Sequence, residues 1–178
     1  MDIRRMRRTR DDLLHDITLN APAAPGELFA ALCDAMSRRH RVPMEHHLVS
    51  FPVSTVSGLL VKTKARNLVL IEADTDPEHQ LGILGHEFWH VEADDGRTGI
   101  LGESDFSTLF SPDVTATDIQ RIAARTNCEE HEEAECELFG SLLAMKGKRW
   151  LDTDSSPAIT SAFGRKLSVS LGPGRGVW

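Results

Sequence analysis

Long apolar runs are missing from this chain of 178 residues. A membrane-spanning helix needs about 18 or more consecutive apolar residues, whereas the longest runs here, such as residues 68–71, have the length of a β-strand. Cysteine is also scarce, since Cys33, Cys128 and Cys136 are the only three and show no CxxC spacing. This argues against a disulfide framework and against a four-cysteine zinc site. We therefore expect a cytoplasmic protein without a membrane segment.

Basic side chains are outnumbered in this sequence. Lys and Arg total 20 against 27 Asp and Glu, which gives a formal net charge of -7. Such a surplus of negative charge disfavours binding to nucleic acid or to anionic membranes. The arginine-rich stretch from Arg4 to Arg10 is the exception, but Asp11 and Asp12 follow it where a secretory signal would continue with apolar residues. We expect a solubilising arm here, with weak nucleic-acid binding as the alternative.

The length and composition predict a single folded domain. The chain is 40% hydrophobic and 26% charged, as is typical of globular proteins. We divide it into an arginine-rich N-terminal segment (1–24), a main domain (25–150) and a Ser-, Gly- and Pro-rich tail that is partly flexible (151–178). Apolar spacing predicts helices over residues 26–41, 77–94, 115–126 and 127–147.

Two short apolar runs, at residues 59–61 and 68–71, predict antiparallel strands joined by a polar turn. Residues 53–56 are a candidate third strand, which Pro52 would confine to a sheet edge. The sequence therefore predicts an α+β fold, in which a small antiparallel sheet packs on the helix 77–94 and further helices surround it.

The helix 77–94 carries an HExxH pattern at residues 86–90. His86 and His90 are four residues apart, so their imidazoles lie one turn apart on the same helix face and can reach one metal ion. On a helical wheel they fall opposite the apolar stripe, as expected for ligands that line a cleft. Catalytic zinc normally has three protein ligands, so a third ligand must come from elsewhere. Gly82 and Gly85 weaken this helix, and the close approach of a strand or of a substrate backbone would explain them.

The helix 127–147 is rich in glutamate, and a helical wheel separates its carboxylates. Glu135 falls within the apolar stripe, where an unpaired carboxylate would cost several kcal/mol. We therefore predict that Glu135 binds a divalent cation together with the two histidines. His131 lies near the same stripe and could replace it as a ligand or hydrogen-bond an oxyanion, although a surface role is favoured. The remaining glutamates are assigned to a solvated helix face: Glu129, Glu130, Glu132, Glu133 and Glu137.

Other residues with metal-binding or reactive side chains receive plainer interpretations. Cys128 and Cys136 are expected to be small helix fillers, and no role is assigned to His46 or His47. Trp89, inside the HExxH pattern, either shapes the cleft or packs in the core.

Taken together, two short strands, an HExxH helix and a later helix of the form E-x-E-x-x-x-F-x-x-L resemble the ImmA/IrrE family of bacterial metallopeptidases, in particular its short actinobacterial members. The similarity covers about residues 59–143. The resemblance implies a zincin-like fold in which His86 and His90 bind one zinc ion and Glu87 is the general base. The family's E-A-x-x-F-A pattern corresponds to residues 135–140 here, which again implies Glu135 as the third ligand.

The same resemblance implies a zinc-dependent endopeptidase that cleaves a protein or peptide substrate, such as a regulatory helix-turn-helix repressor. The alternative is a catalytically silent, metal-containing protein that sequesters a regulatory partner. Three features depart from the family. The bulky pair Phe88-Trp89 replaces small residues inside HExxH, the chain has no tyrosine to stabilise an oxyanion, and it shows no DNA-binding unit of its own.

Overall fold

Four helices and three strands make up most of the computed structural model, which describes residues 2–51, 55–93, 108–109, 115, 117–120, 122 and 130–151. The helices are α1 (Ile3–Asp16), α2 (Pro25–His40), α3 (Pro77–Glu92) and α4 (Glu130–Gly147), and a 3-10 turn (Lys148–Trp150) follows α4. The strands are β1 (Met44–Val49), β2 (Gly58–Lys62) and β3 (Asn67–Glu72). The predicted α+β fold of a single small domain is thus confirmed.

The sheet has the order β1-β3-β2, with β3 in the centre. β2 pairs with β3 in antiparallel fashion, from Gly58 opposite Ile71 to Lys62 opposite Asn67, as the sequence predicts. The expectation of a purely antiparallel sheet is wrong, because β1 pairs with β3 in parallel. The candidate strand at residues 53–56 lies mostly outside the described residues.

The sheet is apolar on both faces, which explains the unbroken apolar runs of β2 and β3. One face contributes Leu60, Val69 and Ile71 to a core shared with the helices. The opposite face packs with Ile119 and Ile122, which belong to the predicted helix 115–126. None of the helices within the described ranges has the length and apolarity needed to cross a membrane.

The arginine-rich start of the chain forms helix α1. Asp2 caps it by accepting a hydrogen bond from the backbone N–H of Arg5 at 3.0 Å. Met6, Leu13 and Leu14 are buried in the main core. The apolar side of this helix is therefore part of the folded domain, whereas the arginines Arg4, Arg5, Arg7 and Arg8 are exposed. Their solubilising role stays a prediction.

Helices α3 and α4 pack antiparallel with their backbones in contact. A Cβ atom added to Gly140 of α4 would lie 2.5 Å from the carbonyl oxygen of Gly82, and one added to Gly85 would lie 2.9 Å from the Cα of Gly140. Near one end of the pair, a Cβ on Gly147 would approach Leu81. The backbone that approaches these glycines is thus that of a helix, α4, and not the expected strand or substrate. The contact fixes which residues of the two helices face each other.

Candidate metal centre

Helix α3 holds the two histidines of the HExxH pattern. It begins at Pro77 after Asp76, whose side chain accepts a hydrogen bond from the backbone N–H of His79 at 3.0 Å. His86 and His90 lie further along the helix, one turn apart, and their Nε2 atoms are 3.0 Å from each other. His90 is buried, whereas His86 is partly exposed to a cleft. The structure therefore brings the two predicted imidazoles together with the same ring nitrogen of each directed to one point.

The Glu133 side chain approaches both of these nitrogens. Its Oε2 atom is 3.4 Å from His86 Nε2, and its Oε1 atom is 3.6 Å from His90 Nε2. Oε1 is buried and has no hydrogen-bond partner among the described residues. The assignment of Glu133 to a solvated helix face is therefore wrong, because α4 carries this carboxylate toward α3.

The donor atoms of these three side chains are spaced as those around one divalent metal ion would be. Zinc binds nitrogen and oxygen ligands at about 2.0 to 2.2 Å in a tetrahedral arrangement, so two such ligands lie about 3.4 Å apart. The observed separations of 3.0, 3.4 and 3.6 Å between donor atoms are close to that value. A cation between the atoms would also provide the buried Glu133 oxygen with the partner that it lacks in the described part of the protein.

Cys136 contributes a sulfur atom to the same cluster. His86, His90 and Cys136 form a group that could hold a metal ion, since one donor atom of each lies within 4.8 Å of the others. The Sγ atom is 3.4 Å from Nδ1 of His90, the ring nitrogen that does not face His86 Nε2. Cys136 is fully buried. Its predicted role as a helix filler is thus incomplete, while Cys128 lies outside the described residues.

Glu135, the predicted third ligand, contacts a different side chain. Its Oε2 atom accepts a hydrogen bond from Trp89 Nε1 at 3.4 Å, and the Trp89 ring stacks on Phe139 with centroids 4.7 Å apart. Glu135 and Phe139 of α4 both lie beside the Trp89 indole, next to the face of α4 that meets the histidines. Glu135 as a ligand stays a prediction that this geometry favours less than Glu133.

The contact between Gly140 and α3 explains the preference for Glu133. Glu133 precedes Gly140 by seven residues, which is close to two helical turns, so the two residues share one face of α4. The seven-residue spacing between Glu133 and Gly140 is visible in the sequence, but the apolar stripe alone does not reveal which side of α4 meets α3.

Glu137 lies one turn after Glu133 on the same face. Its Oε1 atom is 3.5 Å from Nδ1 of His86, and its side chain is 77% exposed. The predicted solvated position is therefore correct, but the carboxylate can also orient the His86 ring. The side chain of His131, the alternative ligand, is outside the described part of α4.

Glu87 is buried between α3 and β2 and lines the same cleft. Burial raises its pKa to about 8, and the negative charge of Glu133 adds to this shift, while a hydrogen bond from the Leu60 backbone opposes it. A Cβ on Gly58 would lie 2.6 Å from Glu87 Oε1. Glycine at this position of β2 therefore leaves the space that the carboxyl group occupies.

A cleft of about 700 Å³ opens over the cluster. Its walls are formed by β2, α3 and α4, and its lining includes His86, Glu87 and Glu133. β2 is an edge strand of the described sheet and borders the cleft, whereas β3 is paired on both sides. The strand nearest the site is thus β2, not the central strand β3.

Comparisons with known proteins return no relatives. No family model matches the chain, and neither a curated protein nor a solved structure matches it. The resemblance to the ImmA/IrrE family therefore stays a prediction from sequence motifs. The function has to be inferred from the site itself.

Proposed function

We propose that this protein is a zinc-dependent endopeptidase that cleaves a protein substrate. The motif resemblance suggests that this substrate is a regulatory protein such as a helix-turn-helix repressor. One observation carries the proposal: the Nε2 atoms of His86 and His90 and the carboxylate of Glu133 converge at the floor of a cleft. The buried Glu87 carboxyl lines the same cleft.

The donor set supports zinc as the metal. Two imidazoles and one carboxylate are a common ligand set of catalytic zinc and leave one coordination position open. His86, His90 and Glu133 would hold the ion. When bound, zinc polarises a carbonyl group and generates a nucleophile from water near neutral pH.

Glu87 is suited to proton transfer. A general base works best when its pKa lies near the operating pH, and burial raises the pKa of this carboxyl to about 8 in the ion-free protein. Glu87 is next to His86 in the chain but is not counted among the ligands. It would accept the proton of the attacking water at its carboxylate and return that proton to the leaving amine.

The edge strand β2 supports an extended peptide as the substrate. Backbone groups on a free strand edge can pair with a peptide that adds to the sheet. Leu59 and Leu60 of β2 line the cleft together with the histidines. A peptide bound along β2 would therefore run past the proposed zinc site.

Zinc content and peptide cleavage, measured together, test the proposal. The zinc-loaded protein should cleave a degenerate mixture of synthetic peptides, with products identified by mass spectrometry, and a chelator should abolish cleavage. Glu87→Gln should retain zinc and lose about 100-fold or more in rate, whereas His86→Ala should lose both. A zinc-loaded wild type that cleaves no peptide would reject the peptidase and favour the binding-protein alternative.

A further inference from the structure

The two ring nitrogens of His90 face different groups. Nε2 lies 3.0 Å from His86 Nε2 and 3.6 Å from a Glu133 oxygen. Nδ1 lies 3.4 Å from the sulfur of Cys136. Both His90 and Cys136 are buried, so the second contact is screened from water.

We propose that Cys136 is a positioning residue, whose sulfur accepts a hydrogen bond from Nδ1–H of His90 and so fixes the tautomer and orientation of that ring. The inference rests on the zinc site proposed above. A neutral imidazole that binds a metal through Nε2 carries its proton on Nδ1. A buried N–H group without an acceptor costs about 1 to 3 kcal/mol.

Metal-binding histidines usually donate their second N–H group to a carboxylate, a carbonyl or water. For His86, the acceptor of the second N–H group would be Glu137, whose Oε1 atom is 3.5 Å from Nδ1. In His90 the corresponding atom is the Cys136 sulfur. The two ligands would thus be oriented by two consecutive residues of α4, one with a thiol and one with a carboxylate.

The geometry favours this role over direct ligation by Cys136. One imidazole binds one ion through one nitrogen, and Cys136 is next to Nδ1 rather than Nε2. An ion between Nδ1 and the sulfur would leave the close Nε2 pair without a shared cation. It would also leave the buried Glu133 Oε1 atom without a partner in the described part of the chain.

The backbone contact between the helices limits the size of the residue at this position. Cys136 precedes Gly140 by four residues and therefore lies on the face of α4 that touches α3. A thiol is small enough for that face and still reaches the imidazole. This combination of small volume and hydrogen-bonding capacity separates Cys136 from an ordinary core residue.

Zinc affinity, measured by competition with a chromophoric chelator, tests the inference. Cys136→Ala should weaken zinc binding by about 10-fold or more, in the range found for outer partners of metal-binding histidines. Cys136→Ser should restore much of the affinity because its hydroxyl accepts a hydrogen bond. Cys33→Ala is the matched control, since Cys33 is equally buried but lies in α2 and outside the cluster, and it should bind zinc as the wild type does.

Cobalt substitution separates positioning from ligation. The cobalt-loaded wild type should lack the intense near-ultraviolet absorption that a thiolate ligand produces. Such a band, lost in Cys136→Ala, would overturn the inference, as would a folded alanine variant with unchanged zinc affinity. If alanine prevents folding, Cys136→Val provides a second variant without an acceptor, judged by the same affinity. A protein that binds zinc as described but cleaves no peptide would refute the peptidase and leave this inference standing.

Discussion

Single substitutions can decide whether Glu133 or Glu135 is the third metal ligand. Glu133→Gln removes the carboxylate that approaches both Nε2 atoms, and we expect zinc affinity to fall by about 100-fold or more. Glu135→Gln is the matched control because it makes the same change beside Trp89, and it should have little effect on zinc binding. Equilibrium dialysis against buffered zinc measures both. Loss of zinc in the Glu135 variant alone would restore the prediction from the sequence.

Glu87 should give the ion-free protein a distinctive pH dependence. Its pKa is raised from 4.5 to about 8, so its charged form is disfavoured in the folded state. Stability should therefore fall as pH rises from about 4.5 to about 8, because the unfolded chain releases this proton first. Glu87→Gln removes that penalty and should stabilise the ion-free protein at about pH 8 by roughly 1 to 3 kcal/mol.

Urea unfolding in the presence of a chelator, at about pH 5 and about pH 8, measures this effect. The stabilisation by Glu87→Gln should be much smaller at the lower pH. Equal differences between variant and wild type at both values would show that the carboxyl does not titrate in this range.

The sequence alone predicts the histidine pair but not its carboxylate partner, for a physical reason. His86 and His90 belong to one helix, so their relation follows from helical spacing. Glu133 is brought to them by a contact between two helices, and the helical wheel gives no register for that contact. The partly buried position of Glu135 beside Trp89 explains why this residue falls within the apolar stripe.

At the scale of elements, the crossing of α3 and α4 should be sensitive to one methyl group. Gly140→Ala places a Cβ 2.5 Å from the Gly82 carbonyl oxygen, so the helices must separate. We expect a loss of about 2 to 4 kcal/mol in the free energy of unfolding, together with weaker zinc binding because the two helices carry different ligands.

Gly82→Ala is the control for this prediction. Within the described residues, a Cβ on Gly82 would meet only the Cβ of Ala144, at 3.9 Å. Helix propensity should then stabilise the variant by about 0.5 to 1 kcal/mol. Thermal unfolding followed by circular dichroism measures the change in stability of both variants. A loss of stability in Gly82→Ala would contradict the described helix packing.

The elements that the sequence predicts are those with local signals. Asp76 and Pro77 mark the start of α3, and the apolar runs of β2 and β3 stand on either side of a polar turn. The sequence pattern does not predict β1, because His46 and His47 interrupt its apolar residues and its parallel partner β3 is distant in sequence. In α1, the many arginines hide the apolar pattern in the sequence, so the buried side of this helix becomes evident only from the tertiary packing.

At the scale of the whole molecule, Glu92 connects three helices at the end of α3. Its carboxylate accepts hydrogen bonds from Arg39 and from His40, the latter at 2.9 Å, and both donors belong to α2. Arg5 of α1 donates to the Glu92 backbone oxygen at 2.5 Å and lies over the Trp89 ring. The N-terminal helices are thereby attached to the segment of α3 that carries the second histidine.

This connection predicts a dependence of stability on pH in the acid range. Burial alone would raise the pKa of Glu92, but the hydrogen bonds from His40 and Arg39, with the Arg39 charge, outweigh burial and lower it below 4.5. The stabilisation is therefore present above the unfolded-state pKa and is lost as pH falls through the folded-state pKa. Glu92→Gln should lose about 1 to 2 kcal/mol at neutral pH.

Urea unfolding at neutral pH and at about pH 3 tests this dependence. The difference between Glu92→Gln and wild type should shrink toward the lower pH, because protonation of the wild-type carboxyl removes its charge as well. Glu78→Gln is the matched control, because Glu78 is on the same helix and pairs with Lys148 in a half-exposed ion pair that contributes little. A Glu92 variant as stable as the Glu78 variant at neutral pH would mean that the Glu92 carboxylate does not contribute to holding α2 on α3.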